Sequence, residues 1–408
     1  DLTDGGPSFR DDLSFSFVKA GRHDVKTGGE YVHSNSPIFL CINCGGTLDA
    51  QGGPIPSNVE SLFPVYNDVS SWKLNSLAPI TRFYSLAVGD FHVDSPIRSY
   101  AGWMQDDWTR GNLTLNLGVR YDLIRGTYAE ELPFEPWLHA NRPLDRNNIQ
   151  PRLGLAYSLN DRTVLRGGWG MFAGGAVNAS HAYRVDAQVA NIQVNYDGRP
   201  DFPLNPFNGP IPTFAQAVAT TNQRTPFLTL PAADTALGYT HQVSAGVQRQ
   251  FGSSMSLSTD FVYSAAKDAL SIMDVNLAYN PATGANYPFT DLTRRPTKGW
   301  GAVSQNMVEP KGIEQYGLQM EFTRRMTRNW QLSATYLLAK DFDYQYAPIK
   351  EGCKYPATNP SPGVFTCDAP MTLHPVLQEE RFLTGNQRHR ATLNGIWQLP
   401  VGFQLSGL

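Results

Sequence analysis

The chain has 408 residues, a formal net charge of -3 at pH 7, 17% charged residues and 12% aromatic residues. That balance excludes a general electrostatic attraction to nucleic acid, and the charged fraction lies below the ~25% of a typical soluble domain. The 36 glycines and 29 prolines favour many turns over long helices, and no run of about 18 apolar residues offers a transmembrane helix.

Apolar and polar residues alternate with period two along most of the chain, which predicts strands with one greasy and one wet face. The first such runs are 12–20 and 24–33, followed by a less regular one at 97–109 that ends in Asp107 and Trp108. The run 112–125 reads NLTLNLGVRYDLIR. It sets Leu113, Leu115, Leu117, Val119, Tyr121 and Leu123 against Thr114, Asn116, Gly118, Arg120, Asp122 and Ile124. Further runs are 149–159, 162–173, 239–251 and 255–266. In 314–326, Tyr316, Leu318, Met320 and Phe322 alternate with Gln315, Gly317, Gln319, Glu321 and Thr323. In 329–340, Trp330, Leu332, Ala334, Tyr336 and Leu338 share a face, with Gln331, Ser333 and Thr335 on the other. Run 387–399 opposes His389, Ala391, Leu393, Gly395 and Trp397 to Arg388, Arg390, Thr392 and Asn394, and a twelfth strand begins at Phe403.

Two kinds of connection take turns between these runs. Tight turns are expected at 21–23, 110–111, 160–161, 252–254, 327–328 and 400–401, and long stretches at 34–96, 126–148, 174–238, 267–313 and 341–386. Structureless loops beyond about 15 residues are uncommon in compact domains, yet here all fall on one side of the zigzag. Short turns at one end and long loops at the other describe an outer-membrane barrel. A tilted spanning strand needs about 9–11 residues, and these runs meet that length. In lipid every backbone donor must be satisfied inside the sheet, so a spanning sheet has to close.

The expected fold class is therefore all-β, a transmembrane antiparallel barrel in a Gram-negative-type outer membrane. Its apolar face would meet lipid, with Leu117 and Leu332 near mid-membrane. Its polar face, with Arg120, Arg152, Glu321 and Arg390, would line the lumen. Trp108, Tyr121, Trp330, Tyr336 and Trp397 suit interfacial girdles. The competing architecture is a soluble propeller or sandwich, which the strand lengths and one-sided loops disfavour. Eight-stranded barrels are filled by side chains and plugged transporters have about 22 strands. Twelve strands with small and charged polar faces (Gly118, Gly154, Gly246, Gly317) therefore suggest part of a larger barrel. A chain opening on Asp1, with neither Met nor a signal peptide, is expected to be processed or a piece of a longer protein.

The segment YAGWMQDDWTRGNLTLNLGVRYDL resembles the barrel signature of TonB-dependent outer-membrane receptors. Tyr100, Gln105, Asp106, Trp108, Gly118, Arg120, Tyr121 and Asp122 stand for it, although Tyr100 lies further from Gln105 than the family spacing. The nearest likeness is to the Oar-like group. IQPRLGLAYSL, RTPF followed by HQVSAGVQRQFGSSMSLSTDFVYS, and NQRHRATLNGIWQLPVGFQLSG also resemble it. The likeness runs in patches from about residue 97 onward. It implies energised uptake of a bulky nutrient of siderophore, glycan or peptide class, with the TonB energy complex as partner. On this resemblance the amino-terminal domain, plug, TonB box and closing strand of full members are expected to lie outside this chain. A passive porin and a surface adhesion protein anchored by the barrel are the competing functions.

Smaller signals point to no enzyme. Gly168 to Ala173 (GWGMFA) imitates a dinucleotide motif but lies in a strand pattern rather than opening a helix. The eight His residues are scattered without a metal-ligand spacing, so neither metal nor cofactor is expected. Asp341 and Asp343 (DFD) and Glu379–Glu380 are read as solvated charges in a long loop rather than as a glycosidase pair. Cys353 and Cys367 share one exterior loop, and Cys41 and Cys44 another. Disulfides fit the oxidising periplasm, with half of a zinc site as the alternative for Cys41 and Cys44. DFPLNPFNGPIPTF (201–214), Pro-rich with aromatics, favours semi-rigid extended backbone; it is read either as a recognition surface for an extracellular ligand or as loop packing.

Overall fold

A computed structural model describes residues 5–407 apart from 42, 175–179, 221–229, 234–235, 277–278, 281–284, 287–291, 302, 310–311, 345–380 and 384–386. Among these residues thirteen strands form one antiparallel sheet, twelve of them paired in chain order. These are β1 (Ser8–Val18), β2 (Arg22–Asn35), β3 (Pro96–Arg110), β4 (Leu113–Arg125), β5 (Ile149–Asn160) and β6 (Thr163–Ala173). Then come β7 (Tyr239–Phe251), β8 (Met255–Lys267), β9 (Ile313–Thr327), β10 (Trp330–Tyr344), β11 (His389–Gln398) and β12 (Gln404–Gly407). The thirteenth, Arg381–Leu383, pairs with the loop end of β10. Among the described residues β1 and β12 are the two free edges.

The register separates the faces cleanly. Gly118 sits opposite Gln105 and Arg152, and Gly154 opposite Asn116 and Gly168. Ser258 faces Gln248 and Glu321, Glu321 faces Thr335, and Thr335 faces Thr392. The alternate positions carry large apolar side chains left open: Leu117 is 42% exposed, Val119 45%, Leu153 48% and Met104 54%. A soluble domain does not leave a continuous apolar wall bare; in a bilayer that wall is the lipid-facing one.

Aromatic rings mark both ends of this wall. Tyr31 and Tyr100 pack at 5.1 Å, and Tyr263 and Tyr316 at 4.9 Å, at the long-loop end. Trp108, Trp330 and Trp397 face the same side beside the tight turns. From Tyr100 to Trp108 is eight residues, roughly 27 Å along the strand. Tilted by roughly 40°, that gives about 20 Å of height, close to the apolar band of such barrels.

The structure corrects several boundaries. The first tight turn occupies 19–21 rather than 21–23, with Ala20 at φ 52° and Gly21 at φ 141°. β10 continues to Tyr344, so Asp341 and Asp343 belong to a strand rather than a loop. The same extension displaces the middle of β10. Leu332, two residues from Trp330, lies near the tight-turn end, and Tyr336 lies mid-strand with its hydroxyl 2.8 Å from His389 Nδ1.

The described parts of loops 34–96, 126–148, 174–238 and 267–313 are folded, not structureless. Strands Thr47–Asp49, Phe83–Gly89 and Val189–Asn195 make a three-stranded sheet that joins loop 34–96 to loop 174–238. Leu86, Val88, Ala190, Ile192 and Ala217 form its core. Residues 201–204 make turns instead of extended backbone, with Phe202 fully buried, and Phe214–Thr220 is a helix. A second cluster unites three loops through Phe134, Leu138, Leu230 and Val303. Together these loops form a cap.

Candidate functional site: the polar wall and its cap

Three arginines gather on the polar wall. Trp103 lies between two guanidiniums, Arg10 at 4.9 Å and Arg120 at 5.3 Å from its ring. A glycine is required beneath it, since a Cβ at Gly28 would stand 2.6 Å from the Trp103 ring. Asp122 accepts both forks of Arg120 at 2.8 Å and a hydrogen bond from Gln150. Arg152 stacks over Phe172 at 4.7 Å. Arg10, Trp103, Arg120, Arg152 and Phe172 border a cavity of about 690 Å³ whose lining includes Gly118, Gly154, Gly168 and Gly170. Guanidiniums flanked by aromatic rings suit flat, oxygen-rich or anionic groups. Deeper on the wall, Arg166 and Asp260 pair at 3.0 Å.

The motif residues divide between the faces. Gln105, Gly118, Arg120 and Asp122 lie on the polar side, as do Arg152, Glu321 and Arg390. Tyr100, Asp106, Trp108 and Tyr121 lie on the apolar side. An outward carboxylate was not foreseen. Asp106 is held by His23 at 2.7 Å, and the His23 ring stacks on Phe17 at 4.6 Å and on Trp108 at 6.0 Å. His23 standing in the apolar phase of its strand was the available signal. Gly168 to Ala173 lie within β6, where Gly168 and Gly170 face the cavity.

In the cap, Cys41 and Cys44 are joined by a disulfide. Between them Asn43, at φ 57°, donates to Ser85 Oγ at 3.2 Å and Asn191 Oδ1 at 3.0 Å, and accepts from Thr47 at 2.8 Å. That short bridge thereby ties the segment to all three cap strands. Cys353, Cys367, Glu379 and Glu380 lie outside the described residues. Burial pushes the Tyr128 phenol up to about 12, and its hydroxyl donates to the Ala236 carbonyl at 3.3 Å.

Asp49 and Arg82 form a two-pronged ion pair at 2.7 and 2.6 Å on the cap sheet. The Arg82 hydrogen bonds hold the Asp49 carboxyl below its ordinary range, against the opposing effect of burial. A depressed carboxyl contributes stability above its unfolded value of about 3.9 and loses it as pH falls through the lower folded value. Protease resistance of the cap should therefore fall as the pH drops below about 4. Asp49→Asn should flatten that dependence, and an unchanged acid profile in the variant would refute the link.

A family model described as "Outer membrane beta barrel domain" matches residues 136–406. No curated protein matches the chain. Among solved structures, the outer membrane transporter YddB from Escherichia coli aligns with a TM-score of 0.50 at 13% identity, covering 96% of this chain and 39% of that one. The alcaligin outer membrane receptor FauA from Bordetella pertussis gives 0.42 at 11% identity, over 96% and 43%. The siderophore receptor PirA from Acinetobacter baumannii gives 0.40 at 11%, over 97% and 48%. The chain spans less than half the length of each. The YddB likeness is one of fold. With an open apolar wall, paired aromatic girdles and a matching family model, the chain belongs to the outer membrane beta barrel domain family and resides in the outer membrane.

Proposed function

We propose that the chain is the barrel portion of a TonB-dependent receptor of the Oar-like group that takes up a bulky nutrient. The observation that carries this reading is the cap: long loops from separate hairpins fold together over one end of a polar-walled sheet. A passive channel has no need of so built a surface, whereas a receptor needs one that captures a ligand. In this reading the cap binds a siderophore, glycan or peptide. Arg120, Arg152, Glu321 and Arg390 keep the lumen wall hydrated and charged in a barrel of about 22 strands. A plug and TonB box carried elsewhere in the protein would connect it to the inner-membrane energy complex. Uptake of the ligand should vanish when TonB is deleted and persist when only unrelated porins are removed. Uptake that survives loss of TonB would favour a passive channel, and cell attachment without uptake an adhesive role.

Cys353 and Cys367 would form a disulfide within their exterior loop. Thirteen residues lie between them, and closing such a loop contributes about 3 kcal/mol in the chain-entropy model. Reduction should loosen ligand capture and leave the barrel folded. Alkylation of denatured, unreduced protein followed by mass measurement should find neither thiol; free thiols at both positions would defeat the pairing.

A further inference from the structure

The register puts Arg98 of β3 directly opposite Arg125 of β4, with His33 of β2 on the other flank of Arg98. Like charges directly opposed on paired strands destabilise a sheet. Both arginines are exposed, and among the described residues neither guanidinium has a hydrogen bond or an ion pair. Their position is specific. They lie on the apolar side of the wall, the face opposite Arg120 and Arg152, two residues beyond Tyr100 and Leu123 toward the long loops. That is the level just outside the aromatic girdle, where lipid headgroups begin.

Loop 126–148 folds back over this point. The Tyr121 hydroxyl donates to the Arg146 carbonyl at 3.1 Å, holding the loop against the outer face of the strands. Between strand ends and loop lies a cavity of about 420 Å³, bordered by Pro96, Arg98, Arg125, Glu131, Arg142 and Arg184. The acidic groups there are already engaged. Glu131 pairs with Arg184 at 2.5 Å, and Glu130 accepts from the Gly126 and Tyr128 amides at 2.9 and 3.4 Å. Arg142 is spent on the carbonyls of Tyr128 and Leu132 at 2.7 and 2.9 Å. Two uncompensated guanidiniums therefore face the headgroup layer from one side of a cleft.

We propose that Arg98 and Arg125 form a binding site for the phosphate of a lipid headgroup in the exterior leaflet. A phosphate between them would replace like-charge repulsion with charge-assisted, fork-shaped hydrogen bonds. The lipid's acyl chains would run down the wall past Tyr100 and Met104, both left open on that face. The bound lipid would steady loop 126–148, and with it the cap cluster of Phe134 and Leu138.

The test uses protein extracted from the outer membrane in neutral detergent. It is titrated with phosphatidic acid, with phosphatidylcholine and with inorganic phosphate, and adducts are followed by native mass spectrometry. Phosphatidic acid should bind most tightly. Arg98→Ala with Arg125→Ala should weaken it at least about tenfold, because hydrogen bonds to charged groups contribute strongly. Arg98→Lys with Arg125→Lys, which keeps charge but loses the fork, should weaken it by a smaller factor. Heat-modifiable electrophoretic mobility reports whether each variant is folded. If the alanine pair fails to fold, the lysine pair decides, and wild-type affinity there overturns the site. Undiminished binding in a folded alanine pair, or equal binding of phosphatidylcholine, also overturns it. Inorganic phosphate binding as tightly as phosphatidic acid would make this a soluble-anion site and overturn the lipid assignment.

Discussion

Arginine in place of Leu117 should lower barrel stability by about 1–3 kcal/mol, less than the full midplane cost of a cationic side chain on a lipid-facing wall, because Leu117 lies one residue pair above the Trp108 level. Leu117 lies between the Tyr121 level and the tight turn at 111–112, and it is 42% exposed on the apolar face. Its neighbours across the sheet are Asp106 on one side and Leu153 on the other. A guanidinium there would have to reach Asp106, already held by His23, or draw water into hydrocarbon. Gln319→Arg, on the polar face opposite Asp260, should change stability by less than about 1 kcal/mol. Denaturant unfolding of protein reconstituted in lipid vesicles measures both. Cysteine substitutions give an independent reading: an aqueous maleimide should label position 120 readily and position 117 poorly. Equal labelling of the two positions would sink the facing assignment.

Leu86→Ala should destabilise the cap by about 2–5 kcal/mol, as for other large-to-small changes in a filled core. Leu86 is 5% exposed in the middle strand of the cap sheet and packs with Val88, Ala190, Ile192 and Ala217. That core joins segments more than a hundred residues apart, so its loss should release both loop 34–96 and loop 174–238. The backbone ladders of the barrel sheet run between its own strands, separate from the cap sheet, so the barrel should stay folded. Limited proteolysis should therefore cut the loops of the variant while the heat-modifiable mobility of the barrel stays unchanged. Under the receptor reading, ligand capture should fall with cap protection. A variant that loses barrel mobility together with loop protection would show that cap and wall fold as one unit.

The strands were legible because their periodicity is written locally. A period of two over ten or more residues reports one face in lipid and one in water, wherever the strand's partners lie. Arg120 and Leu117 were assigned to opposite faces on that alternation, and the register places them so. The less regular run 97–109 shows the limit. Its inward Trp103 needs two arginines from β1 and β4 around it, and its outward Asp106 needs His23 from β2. Neither exchange of polarity makes sense until neighbouring strands are known.

Loop residues carry no such period, so the sequence alone marked the loops by length and Pro content and went no further. The disulfide between Cys41 and Cys44 joins residues adjacent enough to be guessed. By contrast, the cap sheet pairs Phe83–Gly89 with Val189–Asn195 across the whole of β3 to β6. What the sequence by itself determined is the wall: its twelve strands paired in chain order, the facing of the regular ones, and the side that bears the loops, because these follow from alternation and hydrogen-bond satisfaction within lipid. What only the tertiary structure decided is the cap, the arginine cradle around Trp103 and the outward pair Arg98 and Arg125. Each of these arises where chain segments distant in sequence are brought to the same height on the sheet, and no local pattern encodes that height.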